Sequence, residues 1–246
     1  MEANKLFRLI IIPVFFSFFW GCASNTELSK EGIKYQKIRF MTSDQGMVYA
    51  DIYGLEGPRK FGVVLAHDSH NDKGDWGTLI QPLLLDGGVV MALNFRGTGQ
   101  SIPGSMGTGR MDFDLLAACY YLKITLGIKP VSVVGSGMGG LAALTAASTR
   151  YMIDSMVLIS PDPTFSSLKN IQCPILFIVS EHDEAFLSTK AMYARNPSKS
   201  QFEVVPGIAS GQYLLDSSSA PEIIKLIRKF YHEKGHSLYF PGVIYE

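Results

Sequence analysis

VSVVGSGMGG, residues 131–140, carries an apolar run through a cluster of glycines and into the alanine-rich GLAALTAAST, 140–149. Val131, Val133 and Val134 favour an extended chain, the glycines permit a turn other residues resist, and the alanines favour helix. A strand that turns sharply into a helix puts its connection at the carboxyl edge of an α/β sheet, where such sheets hold ligands. Two chemistries use such a turn. One mounts a nucleophile in a G-x-S-x-G frame. The other cradles a phosphate in a G-x-G-x-x-G frame, which Gly135, Gly137 and Gly140 satisfy, with Asp162 about twenty residues on.

Working outward, the chain alternates short apolar runs with helical patterns. YQKIRFMTSDQGMVYADIYG, 35–54, reads as a β-hairpin around the turn signal SDQG. FGVVLAH, VVMALNF, VSVVG, SMVLIS, PILFIVS and FEVVP follow as strands. Between them, WGTLIQPLLLDGG, MDFDLLAACYYLKITLG, GLAALTAAST and EAFLSTKAMYAR read as helices, and the amphipathic APEIIKLIRKFYHEK follows the last strand. Continuously apolar strands joined by helices imply a mainly parallel sheet covered on both faces, started here by the antiparallel hairpin. The glycine motif then stands in a middle strand, whereas dinucleotide-binding sheets carry it in their first βα unit. That disfavours nicotinamide or flavin binding, and no cofactor is expected.

The 246 residues, 47% apolar, suit one domain with a sizeable core. Net charge is zero and the charges are scattered, so nothing attracts a nucleic acid over a distance. The N-terminus departs from this even composition. Lys5 and Arg8 precede an apolar stretch, 9–20, that stops at GCASN. It reads as an export signal, too short to span a bilayer core. Gly21-Cys22 resembles the cleavage junction of bacterial lipoproteins, which implies a lipid on Cys22, membrane attachment through it and a place in the cell envelope. In a Gram-negative cell, Ala23 after that cysteine implies the outer membrane. The expected organisation is a signal over 1–21, a polar linker over 22–34, one domain over 35–235 and an aromatic tail over 236–246. Cys119 and Cys173 have no metal-ligand spacing and read as buried thiols, and no metal site is expected.

Special turns follow the apolar strands at AHDSHNDKGDW, NFRGTGQS, GSGMGG, SEHDE and VPGIASGQYLL. In this order they resemble the α/β-hydrolase fold, specifically the small lidless serine hydrolases related to dienelactone hydrolases and serine aminopeptidases. The resemblance implies a Ser–His–Asp triad with an oxyanion hole. Residue by residue, Gly135, Met138 and Gly139 fit the elbow frame, but Gly137 stands at the nucleophile position. Asp183 stands at the acid position. Ser210 stands at the position of the histidine, and a hydroxyl cannot serve as a general base near neutral pH. The oxyanion donors would be the backbone N–H groups of Met138 and Ser69, with Asp68, a carboxylate, at the usual glycine beside that hole.

Nucleophile and base are both replaced, so the expectation is a pseudoenzyme: a hydrolase-fold lipoprotein without the reaction. One alternative is an active hydrolase of esters or peptides with a displaced nucleophile such as Ser136. Another is an envelope module that binds a small ligand or a protein partner. Arg96, in NFRGTGQS, reads as an anchor for the loops. Asp112 and Asp114 open a helix, where carboxylates suit the dipole.

Overall fold

The computed structural model of the protein describes residues 26–163 and 168–235. The export segment, Cys22 and the aromatic tail lie outside the described residues, among which no helix is long and apolar enough to cross a membrane.

The chain begins with β1 (Thr26–Leu28), paired antiparallel with β2 (Lys34–Met41). β1 falls inside the stretch expected as linker. Three residues suffice there because β2 offers an open edge of backbone donors and acceptors, and side chains secure the pairing: Glu27 accepts from Tyr35 Oη at 2.9 Å and pairs with Lys37 Nζ at 2.7 Å. The expected hairpin joins β2 to β3 (Met47–Tyr53), in register from Tyr35 opposite Tyr53 to Met41 opposite Met47. Its turn is tight because Gln45 takes φ 68° and Thr42 Oγ1 accepts the Gly46 N–H at 2.8 Å.

The alternating part comprises β4 (Phe61–Ala66), α1 (Gly77–Leu85), β5 (Gly88–Asn94), α2 (Met111–Tyr120), β6 (Val131–Ser136), α3 (Met138–Thr149), β7 (Ser155–Ile159), β8 (Ile175–Ser180), α4 (Phe186–Tyr193), β9 (Ser200–Val205) and α5 (Ala220–Phe230). The sheet order is β1-β2-β3-β5-β4-β6-β7-β8-β9. β3 meets β5 antiparallel, and every pairing from β5 to β9 is parallel. β4 to β8 are buried along their whole length, as continuous apolar runs require.

Two apolar layers sandwich the sheet. One gathers α2 and α3, the other α1 and α5. α3 buries Ala142, Ala143, Ala146 and Ala147, small side chains that let it lie close to the sheet and to α2. α5 shows the opposite design: Ile223, Ile227 and Phe230 form one buried stripe, and Arg228 ties its exposed side to Asp86 at 2.6 Å. α2 does not continue as regular helix to Gly127. It widens into a π turn over Tyr121–Thr125, which keeps Leu122 buried while Tyr121 stacks on Phe40 with ring centroids 5.5 Å apart. Cys119 and Cys173 are free thiols; Cys119 is buried as expected, but Cys173, on the turn just before β8, is only half-buried.

Candidate functional site

The parallel strands bring five loops to one edge of the sheet, and β6 delivers the central one. Gly137 adopts φ 47°, ψ −116° between β6 and α3, the sharp conformation a nucleophile elbow needs. Its flanking glycines are required by contact. A Cβ on Gly135 would lie 2.7 Å from the Gly139 carbonyl, and one on Gly139 would lie 2.1 Å from the Ala66 carbonyl of β4. The elbow frame read from the sequence is therefore present, with no side chain at its apex.

That apex is filled from elsewhere. Asp68, on the loop after β4, extends its carboxylate over Gly137, so that a Cβ there would meet both carboxylate oxygens at 2.2 Å. Asp68 Oδ1 accepts the Ser69 N–H at 2.6 Å and the Met138 N–H at 3.2 Å. These are the two donors expected to form the oxyanion hole. They do converge, but on the chain's own carboxylate rather than on open space. The physical reason is local: an anion one residue before Ser69 reaches the positive end of α3 by a short side chain.

The loop is held in that pose by buried neighbours. His67 Nδ1 donates to the Asp68 carbonyl at 2.7 Å while His67 Nε2 accepts the Phe95 N–H at 3.1 Å, which fixes the neutral tautomer. Burial also pushes the imidazole below its usual range. Gln212 Oε1 accepts from the Asp68 N–H at 3.4 Å, and its amide donates to the Asp75 carbonyl at 2.9 Å. On the far side of the loop, Lys73 forms a very close pair with the buried Asp51.

Asp183 is buried beyond the end of β8, as the resemblance implies, yet both of its oxygens are engaged. Oδ2 accepts from Ser160 Oγ at 2.5 Å and Oδ1 accepts the Ala185 N–H at 2.8 Å. It thus closes the turn that leads into α4, a structural role open to such a carboxylate. Ser210 is exposed, and the loop after β9 approaches the elbow through the next residue instead. A Cβ on Gly211 would lie 2.8 Å from Asp68 Oδ2 and 3.0 Å from Ser136 Oγ. Gly211 has φ 58°, a second reason for glycine there. Ser136 is fully buried and its hydroxyl has no hydrogen-bond partner among the described residues. The hydroxyl–imidazole contact in this region is Ser69 Oγ with His70 Nδ1, 3.0 Å apart and exposed. His182 is exposed beside Asp183.

The phosphate-loop reading fares poorly on electrostatic grounds. The N-terminus of α3 already faces the Asp68 carboxylate, and Asp162, whose N–H donates to the Gly137 carbonyl at 2.9 Å, brings a second acid close by. Loss of solvent around Asp162 and the Asp68 charge both push its carboxyl above the usual range. A phosphate approaching this helix end would meet two acids.

Arg96 anchors the loops as expected, through a larger network than its loop suggests. Its guanidinium is fully buried and reaches Asp44 at 2.8 and 2.9 Å, Asp114 at 2.8 and 2.9 Å, and the Gly107 carbonyl at 2.9 Å. These bonds hold the Asp44 carboxyl well below the usual carboxylate range. Asp114 therefore serves Arg96 as well as the dipole of α2, and Asp112 pairs with Arg110 at 2.8 Å. Asp68, Gly211, Gln212 and Ser160 are the site residues whose roles the sequence did not disclose. A carboxylate at residue 68 was the one visible signal.

No curated protein matches the sequence significantly. Among solved structures, an esterase of Pyrococcus furiosus, Pf2001, superposes with a TM-score of 0.71 at 17% identity, over 83% of this chain and 92% of its own. A hydrolase of Thermoplasma acidophilum described as CIB-like gives 0.66 at 19% identity over 81% and 98%. An alpha-beta serine hydrolase homologue from Coxiella burnetii gives 0.63 at 20% identity over 79% and 96%. At such identities the likeness is one of fold. Residues 63–225 match the model of the alpha/beta hydrolase family, and this chain, with its elbow, its five edge loops and its antiparallel start, belongs to that family.

Proposed function

We propose that this chain is a non-catalytic member of its family, a pseudoenzyme held at the cell envelope by a lipid on Cys22 and working as a binding or docking module. The observation that carries this reading is the Asp68 carboxylate on the Met138 and Ser69 N–H groups, above a residue 137 that has no side chain. Oxyanion donors accelerate a reaction by stabilising charge that develops on the substrate. Donors already satisfied by a permanent anion have little left to offer. In subtilisin, removing the triad serine or histidine alone costs about a million-fold in rate, and here both positions are changed.

A second reading is ester or peptide hydrolysis through a displaced nucleophile. It is favoured by the buried, unpartnered Ser136 hydroxyl next to the elbow and by the presence of Asp183. One experiment separates the two. Turnover of p-nitrophenyl butyrate is measured for the unmodified protein and for Ser136→Ala. Background rates in both support the pseudoenzyme; turnover by the unmodified protein that Ser136→Ala abolishes establishes the hydrolase instead. The anchor is tested separately: Cys22→Ser is expected to move the protein from the membrane to the soluble fraction, and an unchanged distribution rejects the lipid.

A further inference from the structure

Away from the elbow, a cleft of about 600 Å³ opens between β2 and α2 with its π turn. This is within the size range of small-molecule sites, which are mostly apolar with a few placed polar groups. Its walls are Phe40, Leu116, Tyr121 and Met152, with Met41 and Tyr120 at the rim, 63% and 55% exposed. Arg150 is the one charged residue in the lining. It is exposed, and its guanidinium makes no hydrogen bond or ion pair among the described residues.

The cleft is elongated, and its ends differ. α2 starts at the edge of the sheet that carries the elbow and runs away from it, so Phe113, Thr42 and Ser43 mark one end and Thr125 the other. Phe113 to Thr125 spans about 18 Å at a helical rise of about 1.5 Å per residue. α3 runs the same way, which sets its C-cap residue Arg150 at the end far from the elbow. The result is a long apolar trough with a single unpaired cation at one extremity and, among the described residues, no acid along its lining.

We propose that this trough binds a single-chain amphiphilic carboxylate of the fatty-acid class. Its head would pair with Arg150 and its chain would lie along α2 toward Phe113. Guanidinium and carboxylate match in charge and geometry, and the apolar walls match a straight alkyl chain. A compact ligand would leave most of the trough unfilled, and an amphiphilic cation would meet Arg150 with like charge. The site lies outside the elbow, so the proposal stands whichever reading of the catalytic position holds.

The test uses the full-length protein and a laurate analogue bearing a photoactivatable diazirine, with attachment sites mapped by peptide mass. Labelling within 113–125 or at Met152 is expected, displaced by laurate and not by dodecyltrimethylammonium at the same concentration. Arg150→Glu, at an exposed position and checked for folding by circular dichroism, is expected to weaken laurate binding by at least about ten-fold, the equivalent of one good charged contact. Ala117→Trp, which fills the wall, is expected to abolish the label, with circular dichroism confirming that it remains folded. Labelling only outside 113–125 and Met152, equal competition by the cationic amphiphile, or unchanged affinity in Arg150→Glu would each overturn the proposal.

Discussion

The Asp68 carboxylate occupies the space in which a side chain on residue 137 would begin, 2.2 Å from an ideal Cβ there. The two positions are therefore dependent: glycine at 137 permits the carboxylate where it lies, and anything larger than glycine requires the carboxylate to move aside. Gly137→Ser by itself is expected to destabilise the protein by about 1–3 kcal/mol, as overpacked sites do. Asp68→Gly in the same chain should recover the part of that loss due to contact, while the left-handed φ of 47° at residue 137 keeps the rest. Urea unfolding of the two single variants and the double variant measures the coupling, and additive effects would show that the two residues do not share this space.

Arg96 is predicted to be among the most sensitive positions in the domain. Arg96→Met would leave the buried carboxylates of Asp44 and Asp114 without their cation, a change that costs about 3–5 kcal/mol at buried pairs. Arg96→Lys should rescue little, because a single ammonium cannot reproduce the forked contacts. Equilibrium unfolding decides it, and a loss of under about 1 kcal/mol in Arg96→Met would contradict the role described for the network.

His67 should give the protein a pH-dependent stability below neutrality. Its folded pKa lies below the ordinary 6.5 because of burial, so the unfolded chain takes up a proton that the folded chain refuses. The His67 contribution is thus present above the unfolded value and is lost as pH falls through it toward the depressed folded value. Thermal melts across this range should show Tm falling with acidification, less steeply in His67→Gln. An identical slope in that variant would remove His67 as the cause.

Both described thiols should be inert in the folded protein. Burial pushes Cys119 up to about 12 and Cys173 up to about 11, far from the thiolate form that reacts. Iodoacetamide at neutral pH is expected to leave both unmodified until denaturant is added. Rapid labelling of Cys119 without denaturant would mean that α2 opens locally.

The order of strands and helices was legible because each carries its own periodicity and punctuation. Buried parallel strands must be apolar throughout, α5 must show a stripe, and the turn at 135–139 needs glycine wherever backbones touch. β1 escaped notice because TEL has no strand pattern of its own; its partner, β2, makes it a strand. The π turn after α2 was hidden for a like reason, since a side chain on another element, Phe40, receives Tyr121.

At the site the division is sharper. The sequence alone determined that residue 137 has no nucleophile, that residue 210 has no imidazole and that an acid stands at 68, because those are matters of residue identity. Only the tertiary structure decided where the acid goes: across about seventy residues of chain, onto the first N–H of α3, with Ser69 completing the pair. It likewise decided that Gly211, rather than Ser210, faces the elbow, and that Asp183 spends both oxygens on Ser160 and Ala185. Hydrogen bonds of this kind depend on distances between strands far apart in sequence, and no local pattern encodes them.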